Sequence, residues 1–329
     1  MAQEKARIAR LVRGVAAATA TSAAVAAAIV AYSKLLVDHA LPLPPALPAE
    51  QRTYVSKQAG ELGYYVDRAV EGRPLLLIHS VNAAANSREM APLFAHYRAH
   101  RPVYALDLPG YGFSDRSDRV YSPALFAAAI ADFLATVVRE PADVIALSLG
   151  AEFAASAALA APAQVHSLAL ISPSGLRSGD LQLPGPGLYR FLAQPLWSQA
   201  LFDLLASRRS IRFFLSRNFA GDLPVELADY AYATAHQPGA RYAPLRFLAG
   251  QLFTPAIWRT TYMKLTVPTL TIYDRDPNVT FDRLPAVVAA NKHWSTARVA
   301  PSLGLPHWEL PQATFAALDR FWAAADESA

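Results

Sequence analysis

The chain reads as one large α/β domain: a mostly parallel central sheet with helices on both faces, and a helical cap inserted between two of its strands. Three observations point there. Short apolar runs alternate with helical spacing from residue 50 to about residue 174, the pattern of a sheet covered on both sides. Strand patterns then vanish until about residue 264 and return afterwards. In VIALSLGAEF, Val144 to Phe153, a serine sits among small residues at the point where a strand pattern gives way to a helical one.

At 329 residues, with 53% hydrophobic and 17% charged residues, the chain can bury a large core and is too apolar for a disordered scaffold. It has no cysteine, which excludes disulfides, thiolate metal sites and a thiol nucleophile. The net charge is +4, but Lys5, Arg7, Arg10 and Arg13 against Glu4 put +3 of it in the first fourteen residues. The rest of the chain carries +1, so no basic face for nucleic acid is expected.

The basic start leads into Gly14 to Tyr32, an uncharged stretch near the roughly 20 residues that span a bilayer. Membrane anchoring through an N-terminal helix is the expected localisation. A signal peptide cleaved near Ala26 and Ala28, with export, and a soluble alanine-rich helix are the alternatives. LPLPPALP, Leu41 to Pro48, reads as a stiff spacer. Residues 1–48 are thus a delivery segment and 49–329 the working domain, with the cap at about 174–264.

The elements follow in order. Tyr54 to Val66 suggests two short strands, and Arg73 to Ser80 holds a strand apolar enough to be buried on both faces. Helical spacing comes around Ser87 to Ala99, a strand in PVYALDL, and a helix over about Pro123 to Val138. ADVIALS is a strand, a helix runs from it through Ala161, and VHSLALIS is the next strand. After the cap, VPTLTIYD and STARVAP are strands, and QATFAALDRFWAAA is a closing amphipathic helix.

Reactive groups in such a sheet gather at the carboxyl ends of its strands. Ser148 lies at one, and a sharp strand-to-helix turn there demands small neighbours such as Ala146 and Gly150. Serine needs a base, itself oriented by an acid. His307 in GLPHWELP and Asp276 in YDRDPNV follow later strand ends, in the chain order expected when the serine comes first. Leu149 and Val81 are the expected backbone donors to an oxyanion. Asp107 is read as a loop-fixing residue, and His79 as a support of its loop.

LLLIHS, DLPGYGFSD, ALSLG, DRDP and GLPHWELP together resemble the α/β-hydrolase fold family over nearly everything after residue 50. The resemblance implies a serine hydrolase with a Ser148, Asp276, His307 triad and a helical cap, acting without a cofactor. Three positions depart from the family pattern. Ala146 stands for a glycine, Ser80 follows His79 in place of glycine, and Tyr273 replaces the glycine before the acid. Asp274 is the alternative acid; Asp276 is favoured by its spacing from the strand and its following proline.

The expected substrate is a small-molecule ester with an apolar acyl group, cleaved through an acyl-enzyme. Carbon–carbon bond hydrolysis, lyase or cofactor-free haloperoxidase-like chemistry on the same triad are alternatives, as is a non-catalytic module for an apolar ligand. The GYG segment lacks a third glycine and a following helix, so dinucleotide binding is not expected. The scattered histidines give no metal site. Tyr189, Phe191, Trp197, Phe202, Phe213, Phe214 and Phe219 of the cap either line a substrate tunnel or pack the cap on the body.

Overall fold

Period-two alternation sends successive residues of a strand to opposite faces of its sheet, and this domain uses both faces. The computed structural model describes residues 24–179 and 184–327. Eight strands are described, and they form one sheet in the order β1-β2-β4-β3-β5-β6-β7-β8. They are β1 (Glu50–Ser56), β2 (Gly60–Asp67), β3 (Leu75–Ile78), β4 (Val103–Leu106), β5 (Ala142–Leu147), β6 (Val165–Ile171), β7 (Thr269–Tyr273) and β8 (Trp294–Arg298). From β4 to β8 all neighbours are parallel, while β1 and β2 add an antiparallel edge. The central strands are buried on both sides, as their unbroken apolar runs require.

Leu76, Ile78, Val144 and Ala146 join one core, with Phe126 and Phe153. Leu75, Leu77, Ile145 and Leu147 join the other, with Phe94 and Trp322. The helices, in chain order, begin with α1 over residues 24–36, α2 (Ala91–Tyr97), α3 (Pro123–Phe133) and α4 (Gly150–Ala160). Between β6 and β7 come α5 (Pro186–Leu192), α6 (Ser198–Leu205), α7 (Arg208–Ser216), α8 (Val225–Ala235), α9 (Tyr242–Leu248) and α10 (Ile257–Thr260), with no strand among the described residues. These form the cap, with Phe202, Ile211 and Ala231 in its own small core. Then α11 (Leu284–Ala290), α12 (Pro306–Glu309) and α13 (Pro311–Glu327) complete the body.

Local chemistry sets several helix starts. The Ser122 hydroxyl accepts from the Leu125 N–H and Pro123 opens α3, while the Ser207 hydroxyl accepts from the Ser210 N–H at the head of α7. The sequence pattern gave no sign of α11, whose seven residues with Pro285 in the first turn are too few for a clear period.

The expected membrane segment begins at Gly14, and residues 1–23 lie outside the described residues. Among the described residues no helix is long and apolar enough to cross a membrane. Instead α1 rests on the cap: the Ser33 hydroxyl donates to Asp203 Oδ2 at 2.5 Å, and His39 Nε2 lies 2.9 Å from the same oxygen.

At the amino end of the sheet Asp143 is fully buried and accepts from Arg101, from the Ser167 hydroxyl at 2.6 Å and from His166 Nδ1 at 2.8 Å. The Arg101 guanidinium stacks 4.8 Å from the Trp322 ring of α13, and Trp322 Nε1 donates to Ser167. This cluster joins three strand starts to the last helix. Asp143→Ala removes the buried acceptor shared by Arg101, His166 and Ser167, so urea unfolding should show a loss of about 3 kcal/mol.

Candidate active site

Ser148 follows β5 directly and takes a left-handed backbone, φ +53°, which a side chain adopts only under strain. Its N–H donates to Ile171 O at 2.9 Å, and its carbonyl accepts from the amides of Ala151 and Ser174. The turn is therefore bonded to β6 before α4 begins. Gly150 explains the demand for small neighbours: a Cβ there would stand 2.3 Å from the His79 carbonyl oxygen, a contact no side chain makes. The start of α4 thus lies against the end of β3. Ala146 is fully buried within β5.

The loop after β3 is held from several sides. His79 is buried, its Nε2 accepting from the Leu108 N–H at 3.0 Å and its Nδ1–H donating to Ser80 O at 2.6 Å. Burial lowers its pKa to about 4, so it stays neutral. The Ser80 N–H donates to Glu89 Oε2 at 2.8 Å, and its hydroxyl accepts from Asn82 Nδ2. Ser80 therefore spends its polar atoms inside its own loop. Among the described residues the N–H groups of Val81 and Leu149 donate to no acceptor, so both are available to a developing oxyanion. Asp107 fixes the next loop, accepting from the Ser87 hydroxyl at 2.5 Å and the Phe113 N–H at 2.9 Å.

At the third strand end two carboxylates compete. Asp274 is consumed by structure: Oδ1 accepts from Arg298 Nε at 2.8 Å and Oδ2 from the Ser302 N–H at 3.0 Å. Asp276 accepts on Oδ1 from the amides of Asn278 and Val279. Its Oδ2 carries no hydrogen bond among the described residues and lies 2.9 Å from where a Cβ of residue 304 would be.

His307 does not join this arrangement. It is fully buried in α12, and its Nε2 lies 2.8 Å from the carbonyl oxygen of Glu89, which also accepts from Trp308 Nε1 at 2.7 Å. A carbonyl only accepts, so Nε2 carries the ring proton and donates it to Glu89 O. Nδ1, the atom an orienting carboxylate would hold, is buried without a partner. Burial lowers the His307 pKa to about 4. Neither Ser148 nor Asp276 is hydrogen-bonded to His307, which sits in the short helix α12 with Glu89 O as its partner.

Two buried acids went unnoticed in the sequence, where neither has a motif around it. Glu89 anchors the oxyanion loop, as above. Glu152, one turn after Ser148, accepts from the Ser174 hydroxyl at 2.6 Å and from the Thr254 N–H of the cap at 2.8 Å. It ties α4 to the cap. Burial raises both carboxyls to about pKa 7, and hydrogen bonds pull in the opposite direction.

A cavity of about 110 Å³ opens beside Glu152 and Ser174 under the cap, walled by Phe253, Ile257, Trp258 and Val279. None of the seven cap aromatics singled out in the sequence lines it. Phe202 and Phe219 pack internally, while Phe191, Phe213 and Phe214 are more than half exposed. A larger groove, about 610 Å³, lies between β8 and α13, with Arg298 and Arg320 at its walls.

Two measurements check this description. Gly150→Ala should cost about 3 kcal/mol by denaturant melt, because its Cβ meets backbone that cannot turn aside. Glu152 has a folded pKa above its unfolded value, so its share of stability is complete below about pH 4.5 and lost as pH rises through 7. The stability of Glu152→Gln relative to the wild type should therefore climb across that window, whatever constant penalty the amide carries.

The family model described as "Alpha/beta hydrolase family" matches residues 75–318. Pimeloyl-[acyl-carrier protein] methyl ester esterase of Aeromonas salmonicida is 27% identical over 217 residues, 64% of this chain and 79% of that protein. Carboxylesterase CesB of Bacillus subtilis superposes with a TM-score of 0.66 at 19% identity, covering 85% of this chain and 94% of its own. A bacterial membrane phospholipase A does so at 0.65 and 20% identity, covering 96% of this chain and 99% of its own. With a family match over well over half its length and an eight-stranded, mostly parallel sheet under a helical cap, this chain belongs to the α/β-hydrolase family and is a hydrolase with esterase-like relatives.

Proposed function

We propose that the protein hydrolyses small esters through an acyl-enzyme formed on Ser148. The observation that carries this reading is the strained Ser148 turn, its hydroxyl and the N–H groups of Val81 and Leu149 making no hydrogen bond among the described residues. Attack by Ser148 Oγ on the ester carbonyl places negative charge on the carbonyl oxygen, and the two amides receive it. Asp276 serves as the acid that orients the base, through its uncommitted Oδ2. Water then releases the acid product. Esterase relatives support an ester over the other bonds cut by this fold.

The cavity beside Glu152 and Ser174, which Ser148 does not itself line, is taken as the acyl site because α4 carries Glu152 one turn after Ser148. At about 110 Å³ it is small beside the roughly 300–1,000 Å³ of ordinary ligand sites, which favours a short acyl or alkyl group over a long chain. Nitrophenyl acetate and butyrate should therefore be turned over at least tenfold faster than the decanoate. Ser148→Ala should remove this turnover with an unchanged melting temperature; retained turnover would overturn the assignment.

One observation favours a second reading, a module that binds a small apolar ligand without turning it over: no histidine is hydrogen-bonded to Ser148 or Asp276. Absence of Ser148-dependent turnover on every ester of the series, with binding detected by calorimetry, would select it.

Attachment to a membrane through residues 14–32 is proposed from the basic start and the uncharged run that follows. After expression of the full chain, an anchored protein stays with membranes in alkaline carbonate at full mass; cleavage after Ala28 would shorten it and release it.

A further inference from the structure

The acid of the site addresses a residue that has no side chain. Asp276 Oδ2 lies 2.9 Å from the Cβ position of residue 304, and Asn218 Oδ1 of the cap lies 3.0 Å from it. Both are ends of side chains, so the space they share is closed by groups that can turn. Residue 304 is glycine, in the loop after β8 from which the base of such a relay comes. That loop is held in place. Glu309 Oε2 accepts from the Leu303 N–H at 2.7 Å, while Oε1 accepts from the Ala220 N–H of the cap at 2.5 Å. Asn218 has its Oδ1 accepting from Asn278 Nδ2 and its Nδ2 donating to Phe214 O and, at 3.4 Å, to Leu215 O. His307 cannot substitute from where it stands, because its ring proton is given to Glu89 O and its second nitrogen meets neither Ser148 nor Asp276.

Resting on the reading of Ser148 as nucleophile, we propose that the site takes its general base from outside the chain: a neutral nitrogen base, imidazole-like or amine, seated against Asp276 where a side chain of residue 304 would project. Asn218 turns aside to admit it. The base takes the Ser148 Oγ proton as Oγ bonds to the ester carbonyl carbon. Its conjugate acid, held by Asp276, returns the proton to the departing alkoxide. The same base then takes a proton from water as water attacks the acyl-serine, and gives it back to Oγ as the carboxylic acid leaves. Atoms and charge balance, and the base is unchanged. The nitrogen belongs either to a free small molecule or to the substrate itself, and the chemistry is the same.

The experiment measures Ser148-dependent hydrolysis of nitrophenyl acetate by the full chain, with Ser148→Ala subtracted at every imidazole concentration to remove the reaction of imidazole with the ester. The wild-type rate should rise saturably with imidazole, at least tenfold. Gly304→His, paired with Asn218→Ala to make room, should reproduce about a hundredfold gain without imidazole, the size of a positioned base, and lose the stimulation. Esters carrying an amine on the acyl or alcohol part, tested without imidazole, separate the two sources: preference for them over isosteric neutral esters assigns the nitrogen to the substrate.

The proposal is overturned if the wild type is insensitive to imidazole and to the amine esters, Gly304→His brings no gain, and His307→Gln loses turnover a hundredfold at an unchanged melting temperature. His307 would then be the base and the ester-hydrolase reading would stand. If Ser148→Ala matches the parent in every arm, including imidazole and Gly304→His, that reading itself fails.

Discussion

The contact between Gly150 and the carbonyl oxygen of His79 sets the geometry of the site. Because residue 150 has no Cβ, the first turn of α4 can press against the end of β3, and the two backbone segments that carry free N–H groups come to the same rim. The strain at Ser148 is the local consequence, sustained by the hydrogen bonds that tie its N–H to β6 and its carbonyl to Ala151 and Ser174. A larger residue at 150 would push the Ser148 turn away from the loop after β3.

Around that contact the molecule places ionisable groups where burial disfavours their charged forms. Glu89 supports the oxyanion loop from below and Glu152 bridges α4 to the cap, each accepting from a backbone N–H. Their carboxyls are pushed up to about pKa 7 by desolvation, while His79 and His307 are pushed down to about 4 by the same cause. The interior beneath the site thus holds polar groups with little net charge. The small cavity at Glu152 is bounded by cap residues after α9, and the aromatic residues of α5 and α7 look outward instead.

The two carboxylates after β7 are sorted clearly by geometry. Asp274 and Asp276 are two residues apart, yet Arg298 and the Ser302 amide occupy the first while one oxygen of the second stays open toward Gly304. The histidine of GLPHWELP is held differently: α12 begins at Pro306, and the His307 imidazole is bonded to the Glu89 carbonyl.

What the sequence determined by itself was the architecture and the elbow. Unbroken apolar runs alternating with helical spacing admit few arrangements other than a covered parallel sheet, and a serine between small residues at a strand end leaves little choice of turn. The helix α11 escaped because seven residues with a proline show no period. Which way a side chain points is a different matter. It depends on neighbours distant in the chain, as Glu89 captures the ring of His307 from 218 positions away and Asn218 of the cap meets Asp276 across residue 304. Only the tertiary structure could decide that Asp276 faces a glycine, because hydrogen-bond direction is set by packing and leaves no mark on local composition.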